Sequence, residues 1–183
     1  MGLSQAILTC LIDAPHSGYD LSKVFSESVG YFWQASQQQI YRELGKLEST
    51  GLIVSEVIPR EGRLDKKVYS ITEQGKQHLI EWMHKPSEPD VVREDLLVKI
   101  FSGGLVPVNL LIEDVIRHRR IHLEKLLTYG EIQNGKCPYP KELNKDEKLK
   151  NLVLKAGIKY EQAWIEWCDD ALEVLKNLSE AGR

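Results

Sequence analysis

The chain contains two consecutive runs of β-branched and other apolar residues, LIVSEVI at residues 52–58 and KKVYSIT at residues 66–72. Runs of this composition are typical of β-strands, and the loop between them contains Gly62, so the pair predicts a hairpin. The fold that contains this hairpin depends on the helices that precede and follow it.

Helical spacing of apolar residues predicts three helices before the hairpin and one after it. The first helix covers residues 3–13 and ends before Pro15. The second begins at Ser17, which forms an S-x-x-D cap with Asp20, and the helix after the hairpin begins at Thr72. Three helices, a two-stranded hairpin and a closing helix, in this order, form a winged helix-turn-helix.

The third helix has a narrow apolar side and a wide polar side. Ser36 and Gln39 match an S-x-x-Q capping box, which predicts a helix that begins at Gln37 and ends at Gly51. At about 100° per residue, one apolar stripe contains Ile40, Leu44 and Leu47. The opposite face contains Gln38, Arg42, Gly45 and Ser49, with Tyr41 and Lys46 on its two edges. An amide and a guanidinium near a helix N-terminus can bind base edges in a major groove, and a glycine lets the backbone come close.

Charge is the main obstacle to a nucleic-acid interpretation. The chain has a net charge of −3; residues 1–90 hold 9 Lys and Arg against 12 Asp and Glu, and residues 91–183 hold 15 of each. A domain that binds phosphates usually has a basic surface, which can only be local here. The candidate is the hairpin loop, where Glu61 and Asp65 are outnumbered by Arg60, Arg63, Lys66 and Lys67. In a winged helix this loop lies beside the third helix, so Arg63 and Lys66 are predicted to contact phosphates.

Four segments of the chain carry specific sequence motifs. They are HSGYDLSKVF (16–25), FWQASQQQIYRELGKLESTGLI (32–53), REGRLDKKVYSITEQGKQHLIEWM (60–83) and the helical region after residue 91. With these motifs the chain resembles the PadR-like family of transcriptional regulators over nearly its whole length. The resemblance implies a homodimer that binds a palindromic operator and, in some members, releases DNA on binding a phenolic acid or a drug. The long C-terminal half resembles that of the larger subfamily, which includes a phenolic-acid repressor and a virulence-gene activator, so a repressor is expected and an activator is the alternative. It implies DNA contacts from Ser36, Gln38, Tyr41 and Arg42, with Lys46 at the edge of the same face, and from Arg63 and Lys66 in the wing.

The second half of the chain predicts a dimer without reference to any family. Apolar residues between 149 and 178 recur at spacings of three and four with one irregular step, a near-heptad stripe. Its members are Leu149, Val153, Ala156, Tyr160, Ala163, Trp167, Ala171, Val174 and Leu178. A continuous helix from Asp146 to Leu178 would be about 50 Å long, more than a small domain needs. The alternative is an intramolecular bundle with a helix over residues 109–134, joined to it by a loop over residues 130–145.

A small aromatic effector is expected at the junction of the two halves. The link VGYFWQA, residues 29–35, and the neighbouring helix start are rich in rings that would stack on such a ligand. The candidate residues are His16, Tyr19, Tyr31, Phe32 and Trp33. Arg93 is the candidate partner for a ligand carboxylate. The alternative is that these side chains form an ordinary core at the domain junction.

No motif of an enzyme or metal site is present in the sequence. His118 and His122 lie one turn apart on a helix, but no third ligand is visible, so a solvated pair is the favoured interpretation. Three widely spaced cysteines, Cys10, Cys137 and Cys168, favour neither a disulfide framework nor a zinc site. The longest apolar runs are far short of the roughly 20 residues of a membrane span, so a soluble cytoplasmic protein without a cofactor is expected.

The sequence therefore predicts a mainly α-helical protein with two domains. A winged helix-turn-helix DNA-binding domain covers residues 1–86, and a helical dimerisation domain covers residues 91–183. The favoured function is sequence-specific regulation of transcription. Because the N-terminal half is acidic, a winged-helix protein-interaction module that does not bind DNA is the alternative.

Overall fold

The computed structural model describes residues 2–26, 33, 35–60, 62, 65–89, 91, 93–136 and 144–181. The chain forms two compact units, Met1–Pro89 and Asp90–Arg183, each with its own hydrophobic core. Four of the sequence-based candidates fall outside the described residues: Tyr31, Phe32, Arg63 and Cys137. None of the described helices is long and apolar enough to cross a bilayer.

The first unit is a winged helix-turn-helix, as the order of its predicted elements indicates. The described elements are α1 (Gly2–Cys10), β1 (His16–Ser17), α2 (Gly18–Ser26), α3 (Gln37–Ser49), β2 (Ile53–Ile58), β3 (Lys66–Ile71) and α4 (Glu73–Met83). The predicted hairpin of β2 and β3 is confirmed, and β1 adds a third antiparallel strand in the order β1-β3-β2. The sequence did not predict β1, because two residues are too few to show a periodic pattern.

The end of α3 is fastened to the start of α4. The Thr72 hydroxyl, which caps α4, donates to the carbonyl of Gly51 at 2.7 Å and to that of Leu52 at 3.0 Å. Gly75 lies so close that a Cβ at this position would be 2.1 Å from the Leu52 carbonyl oxygen. The core of this unit contains side chains from α1 to α4 and from the wing, so the position of α3 is fixed on its buried side.

The second unit consists mainly of two long helices, α6 and α7, which follow each other in sequence and pack antiparallel. Its described elements are α5 (Asp95–Phe101), a 3-10 turn (Gly103–Leu105), α6 (Val108–Lys136) and α7 (Lys145–Ala181). The predicted loop from residue 130 is wrong for its first part, because α6 continues to Lys136. The Tyr129 ring is buried and lies 3.0 Å from the position that a Cβ at Gly157 would take, so packing on α7 holds α6 together next to Gly130.

The prediction of a solvated histidine pair is wrong for His122. His122 is buried between α6 and α7, where its Nδ1 lies 2.5 Å from Oε2 of the buried Glu161. The Trp164 ring stacks on the imidazole with centroids 5.1 Å apart and an interplanar angle of 3°. The Glu161 carboxylate and the Trp164 ring, which α7 supplies, make this an internal pair. Sequence spacing on α6 alone could not reveal them.

Most of the predicted apolar stripe of α7 lies outside the core that α7 forms with α5 and α6. The residues that pack against α6 and α5 include Cys168, Leu172 and Leu175, which are buried in the core of the second unit. The stripe residues Tyr160, Val174 and Leu178 are 57%, 59% and 58% exposed within this chain. Trp167 and Ala171 are partly covered by the core. The intramolecular bundle therefore exists, but most of the stripe is not used to form it.

Candidate nucleic-acid interface

Both ends of α3 are fixed by the groups that the sequence predicts. The Ser36 hydroxyl accepts a hydrogen bond from the Gln39 backbone N–H at 3.3 Å, and Gln39 Oε1 accepts one from the Ser36 backbone N–H at 2.8 Å. Gly51 follows the helix with a φ of 72°, a left-handed conformation that glycine adopts without strain. The capping box and the terminating glycine are confirmed, and Gln39 is engaged in the cap.

The side of α3 opposite its buried stripe is open to solvent. Ile40, Leu44 and Leu47 pack in the core of the first unit. The exposed residues on the other side, called here the polar face of α3, are Gln38, Arg42, Gly45 and Ser49. At the N-terminal end of this face, an open concavity is lined by Ser36, Gln38, Gln39 and Arg42. This is the part of the helix where an amide and a guanidinium were predicted to contact base edges.

Gln38 and Arg42 form no hydrogen bond or ion pair within the described part of the chain. Gly45 is equally unconstrained, because no atom lies within 4 Å of the position that its Cβ would take. A glycine inside a helix costs about 1 kcal/mol relative to alanine, and among the described residues no neighbouring element comes close enough to require a glycine here. An amide, a guanidinium and a bare stretch of helix backbone therefore all face solvent on one side of α3.

Tyr41 has a structural contact in addition to its predicted role in DNA binding. Its ring lies against the backbone of Gly18 at the start of α2, where a Cβ would be 2.5 Å from Tyr41 Cε1. The side chain nevertheless remains 44% exposed. Because a substitution of Tyr41 would alter the packing of α2 on α3, this residue is a poor probe of DNA contact.

The wing places two lysines next to helices of the same unit. β2 and β3 pair from Ile53 opposite Ile71 to Ile58 opposite Lys66, and Gly62 in the connecting loop has a φ of 69°. Lys66 Nζ lies 2.6 Å from Oδ2 of Asp20 on α2. Its neighbour Lys67 extends to the other side of the hairpin, and its Nζ lies 2.9 Å from Oε2 of Glu48 on α3.

Each described lysine of α3 and of the wing strands is paired with a carboxylate. In α3 itself, Lys46 Nζ lies 3.0 Å from Glu43 Oε2. Hydrogen bonds from Lys66 and from Ser17 lower the pKa of Asp20, and those from Ser55 and Lys67 lower the pKa of Glu48. These carboxylates are therefore ionised at neutral pH and offset the lysine charges. Sequence reasoning missed Asp20 and Glu48, because the partners come from different elements.

The described residues predicted to bind a small aromatic effector come from both units. His16 is a half-buried residue of β1, and Tyr19 at the start of α2 is 69% exposed. The Trp33 ring lies over the backbone of Gly2, where a Cβ would be 1.9 Å from Trp33 Cη2. Arg93 is an exposed residue of the second unit. Part of the Trp33 surface is therefore used to pack on α1, within the first unit.

Two family models match the chain, one in each unit. Residues 7–81 match the model of the transcriptional regulator PadR-like family, and residues 92–176 match the model of the virulence activator alpha C-term region. A probable transcriptional regulator of Mycobacterium tuberculosis is 34% identical over 96% of this chain and 98% of its own length. The negative transcriptional regulator PadR of Bacillus subtilis is 29% identical over 94% of this chain and 97% of its own length.

Solved structures of regulators are similar to the whole chain. The virulence activator AphA of Vibrio cholerae has 33% identity and a TM-score of 0.78, with 96% of this chain and 99% of AphA covered. Bacillus subtilis PadR in complex with operator DNA has 26% identity and a TM-score of 0.81, covering 94% of this chain and 97% of PadR. The same protein in complex with p-coumaric acid has 26% identity and a TM-score of 0.74, covering 96% of this chain and 99% of PadR. These relatives are regulators of transcription and not enzymes.

Proposed function

Because the chain belongs to the PadR-like family of transcriptional regulators, we propose that it is a sequence-specific DNA-binding repressor that acts as a homodimer on a palindromic operator. The structure of Bacillus subtilis PadR, a negative regulator, has been solved with operator DNA, and it is similar to 94% of this chain. This similarity supports DNA as the partner of the first unit.

The polar face of α3 is the observation that carries the proposal. Its guanidinium and amide, Arg42 and Gln38, have no partner within the described part of the chain, although the nearby lysines all do. A helix of a helix-turn-helix that enters a major groove contacts base edges with residues near its N-terminus. Arg42 is suited to bind guanine with both arms of its fork, and Gln38 is suited to adenine.

The other proposed contacts surround these two residues. Phosphate oxygens accept hydrogen bonds from hydroxyl, phenol, ammonium and guanidinium groups and so fix the protein on the duplex. The residues proposed for this role are Ser36, Tyr41, Lys46, Arg63 and Lys66. For Lys46 and Lys66, contact with phosphate requires exchange of the carboxylate partners that they have in the free protein.

The exposed stripe of α7 supports the homodimer. α7 is 37 residues long, and from Leu149 to Leu178 its apolar side chains recur at spacings of three and four with one irregular step, the pattern by which helices pair. A second copy of the same chain is the partner that a repressor needs, because two recognition helices must contact half-sites about one helical turn of DNA apart. The proposed homodimer therefore implies the palindromic operator, because each copy of the chain contacts one half-site.

A phenolic acid is the proposed effector. Bacillus subtilis PadR has been solved with p-coumaric acid, and this chain offers the residue types that such a ligand needs. The residues proposed for the test are His16, Tyr19, Trp33 and Arg93. The rings would stack on the phenol, and the guanidinium would pair with the carboxylate.

The alternative is a winged-helix module that binds protein and has lost DNA binding, which the acidic balance of residues 1–90 favours. The salt dependence of DNA binding distinguishes the two functions. Binding through phosphate contacts must weaken steeply as salt rises, whereas a protein-only module is not retained on DNA even at low salt.

The test is selection of DNA fragments from a random pool by the purified full-length protein, followed by affinity measurements over a series of salt concentrations. We expect a palindromic sequence to be enriched and its affinity to fall with salt. Failure to retain any DNA at low salt would refute the proposed function. Release of the selected DNA by phenolic acids, followed with tryptophan fluorescence, then tests the effector, and no binding at millimolar concentration would refute it.

A further inference from the structure

The ion pairs of the wing lysines have an unusual arrangement. Lys66 and Lys67 are adjacent on β3 and extend to opposite sides of the hairpin, yet each meets a carboxylate from a different helix, Asp20 and Glu48. Glu48 is held in place by a second hydrogen bond, from the Ser55 hydroxyl of β2. Lys67 also lies over the Tyr69 ring, with its Nζ 5.2 Å from the ring centroid. Both lysines are therefore positioned by the protein itself.

These pairs are accessible to a polyanion. The side chains of Lys67 and Glu48 are 46% and 34% exposed, and those of Lys66 and Asp20 are 30% and 41% exposed. Ion pairs with this exposure are screened by water and are weak enough to exchange partners. A phosphate can thus reach each lysine, but it competes with a carboxylate that is already there and that repels it.

We propose that Glu48 and Asp20 act as internal substitutes for phosphate, which suppress the binding of this protein to DNA of unrelated sequence. The inference rests on the proposed function, since it assigns a role to residues beside the same interface. Binding without sequence preference consists almost entirely of phosphate contacts made by lysine and arginine. A lysine that is neutralised in the free protein adds little to such binding. Among the described residues Arg42 and Gln38 have no such partner, so their contacts with base edges are not suppressed in this way.

This role accounts for a composition that is otherwise difficult to reconcile with DNA binding. Residues 1–90 hold 9 basic against 12 acidic residues, and the acidic partners lie next to the few lysines of the proposed interface. In this arrangement the wing has cationic side chains in position, but most of their charge is cancelled until a better anion replaces the carboxylate.

The experiment replaces Glu48 with Gln in the full-length protein and measures binding to a random-sequence DNA duplex by fluorescence anisotropy over a salt series. Freeing one lysine should steepen the plot of log K against log salt by about 0.9 and tighten binding about eightfold at 0.1 M salt. Glutamine keeps an acceptor for Ser55, and thermal unfolding checks that the variant is folded.

Glu56→Gln is the matched control. Glu56 is an exposed residue of β2 in the same hairpin and has no ion-pair partner among the described residues, so its replacement removes the same charge without freeing a lysine. We expect a small gain in affinity with an unchanged salt slope. A generic effect of negative charge near the interface would make the two variants alike.

A second measurement tests the coupling between the two partners. Lys67→Ala should have little effect on random-sequence binding in the wild type, and it should return the Glu48→Gln variant to the wild-type slope. Two results would overturn this inference and leave the proposed function standing. In the first, wild type binds DNA but Glu48→Gln has the same affinity and salt slope as Glu56→Gln. In the second, Lys67→Ala lowers the affinity equally in wild type and in Glu48→Gln. If neither wild type nor Glu48→Gln binds any DNA at low salt, the proposed function and this inference are both overturned.

Discussion

The polar face of α3 and the apolar stripe of α7 are two helix faces that their own units leave uncovered, and they differ completely in chemistry. An uncovered polar face is ordinary on a surface helix, so exposure alone says little about α3. Its distinguishing feature is that, in the part of the chain that the structure describes, Arg42 and Gln38 have no hydrogen-bond or ion-pair partner, whereas the nearby lysines do. For α7 exposure itself is informative, because each Å² of apolar surface in water costs about 25 cal/mol. The two faces therefore point to different partners, a duplex and a second copy of the chain.

If the two faces have different partners, we expect that cutting the chain between the units separates DNA binding from dimer formation. A fragment that ends at Pro89 contains the whole core of the first unit and should stay folded, but it lacks α7 and should be monomeric. Losing the linked second half-site should weaken operator binding by roughly a hundredfold to ten-thousandfold. Sedimentation and binding to the selected operator check both points. A dimeric fragment, or one with full operator affinity, would show that α7 does not supply the dimer.

A single charge in the stripe should break the dimer without removing a domain. Ala163→Glu places a carboxylate in the middle of the stripe, where a second copy would bury it, and should cost about 3 to 5 kcal/mol of dimer stability. Ala163 is exposed within the chain, so the fold of the protomer should be unaffected.

Gln162→Glu is the matched control for this substitution. Gln162 is exposed and precedes Ala163 in sequence. The substitution adds the same charge about 100° around the helix, outside the stripe. Equal dimer dissociation constants for the two variants, measured by sedimentation, would contradict the assignment of the stripe as the interface.

On α3, Arg42→Ala should reduce operator affinity by about 1 to 3 kcal/mol and leave the fold intact, since its side chain lies opposite the buried stripe. Arg42→Lys keeps the charge but not the fork, so it should keep the salt dependence and lose discrimination at one base pair. Titration against the operator and single-base variants measures both quantities. Unchanged operator affinity for Arg42→Ala would disprove the role of the polar face.

The smallest expected effect concerns Gly45. Gly45→Ala should stabilise the protein by about 1 kcal/mol, because the position is helical and nothing lies within 4 Å of the new methyl group. If the bare backbone serves close approach of DNA, the same variant should bind the operator more weakly despite its higher melting temperature. A variant that is more stable and binds as well as wild type would remove Gly45 from the interface.

The sequence predicted most of the fold of the first unit, because several of its boundaries have a local chemical cause, although α1 ends at Cys10 rather than at residue 13 and β1 was not predicted. Ser36 with Gln39, Gly51 and Thr72 mark the ends of helices through hydrogen bonds and a left-handed φ that involve near neighbours only. In the second unit the predicted helix over residues 109–134 agrees with α6, which ends at Lys136, whereas the predicted start of the following loop at residue 130 was too early.

The candidate site was predicted only in part. Helical rotation suffices to place Gln38 and Arg42 on one exposed face of α3. The partners of the lysines could not be derived in this way, because Lys66 meets Asp20 and Lys67 meets Glu48 through the tertiary fold. Long-range electrostatic pairs of this kind leave no periodic pattern in a sequence.

The buried pair of His122 and Glu161 has a consequence for how α6 and α7 slide along each other. A helix pair whose apolar residues repeat every seven positions can shift by a heptad and still match, so its register is poorly defined by hydrophobic contacts alone. A shift of one turn would move Glu161 about 5.4 Å from His122 and break the contact between the carboxylate and the imidazole, together with the stacking of Trp164 on His122. A buried hydrogen bond of this kind is costly to break, so we expect it to select one register. Replacing both residues with Leu should preserve helix content while the helix pair populates several registers, which cross-linking between cysteines introduced in α6 and α7 would detect.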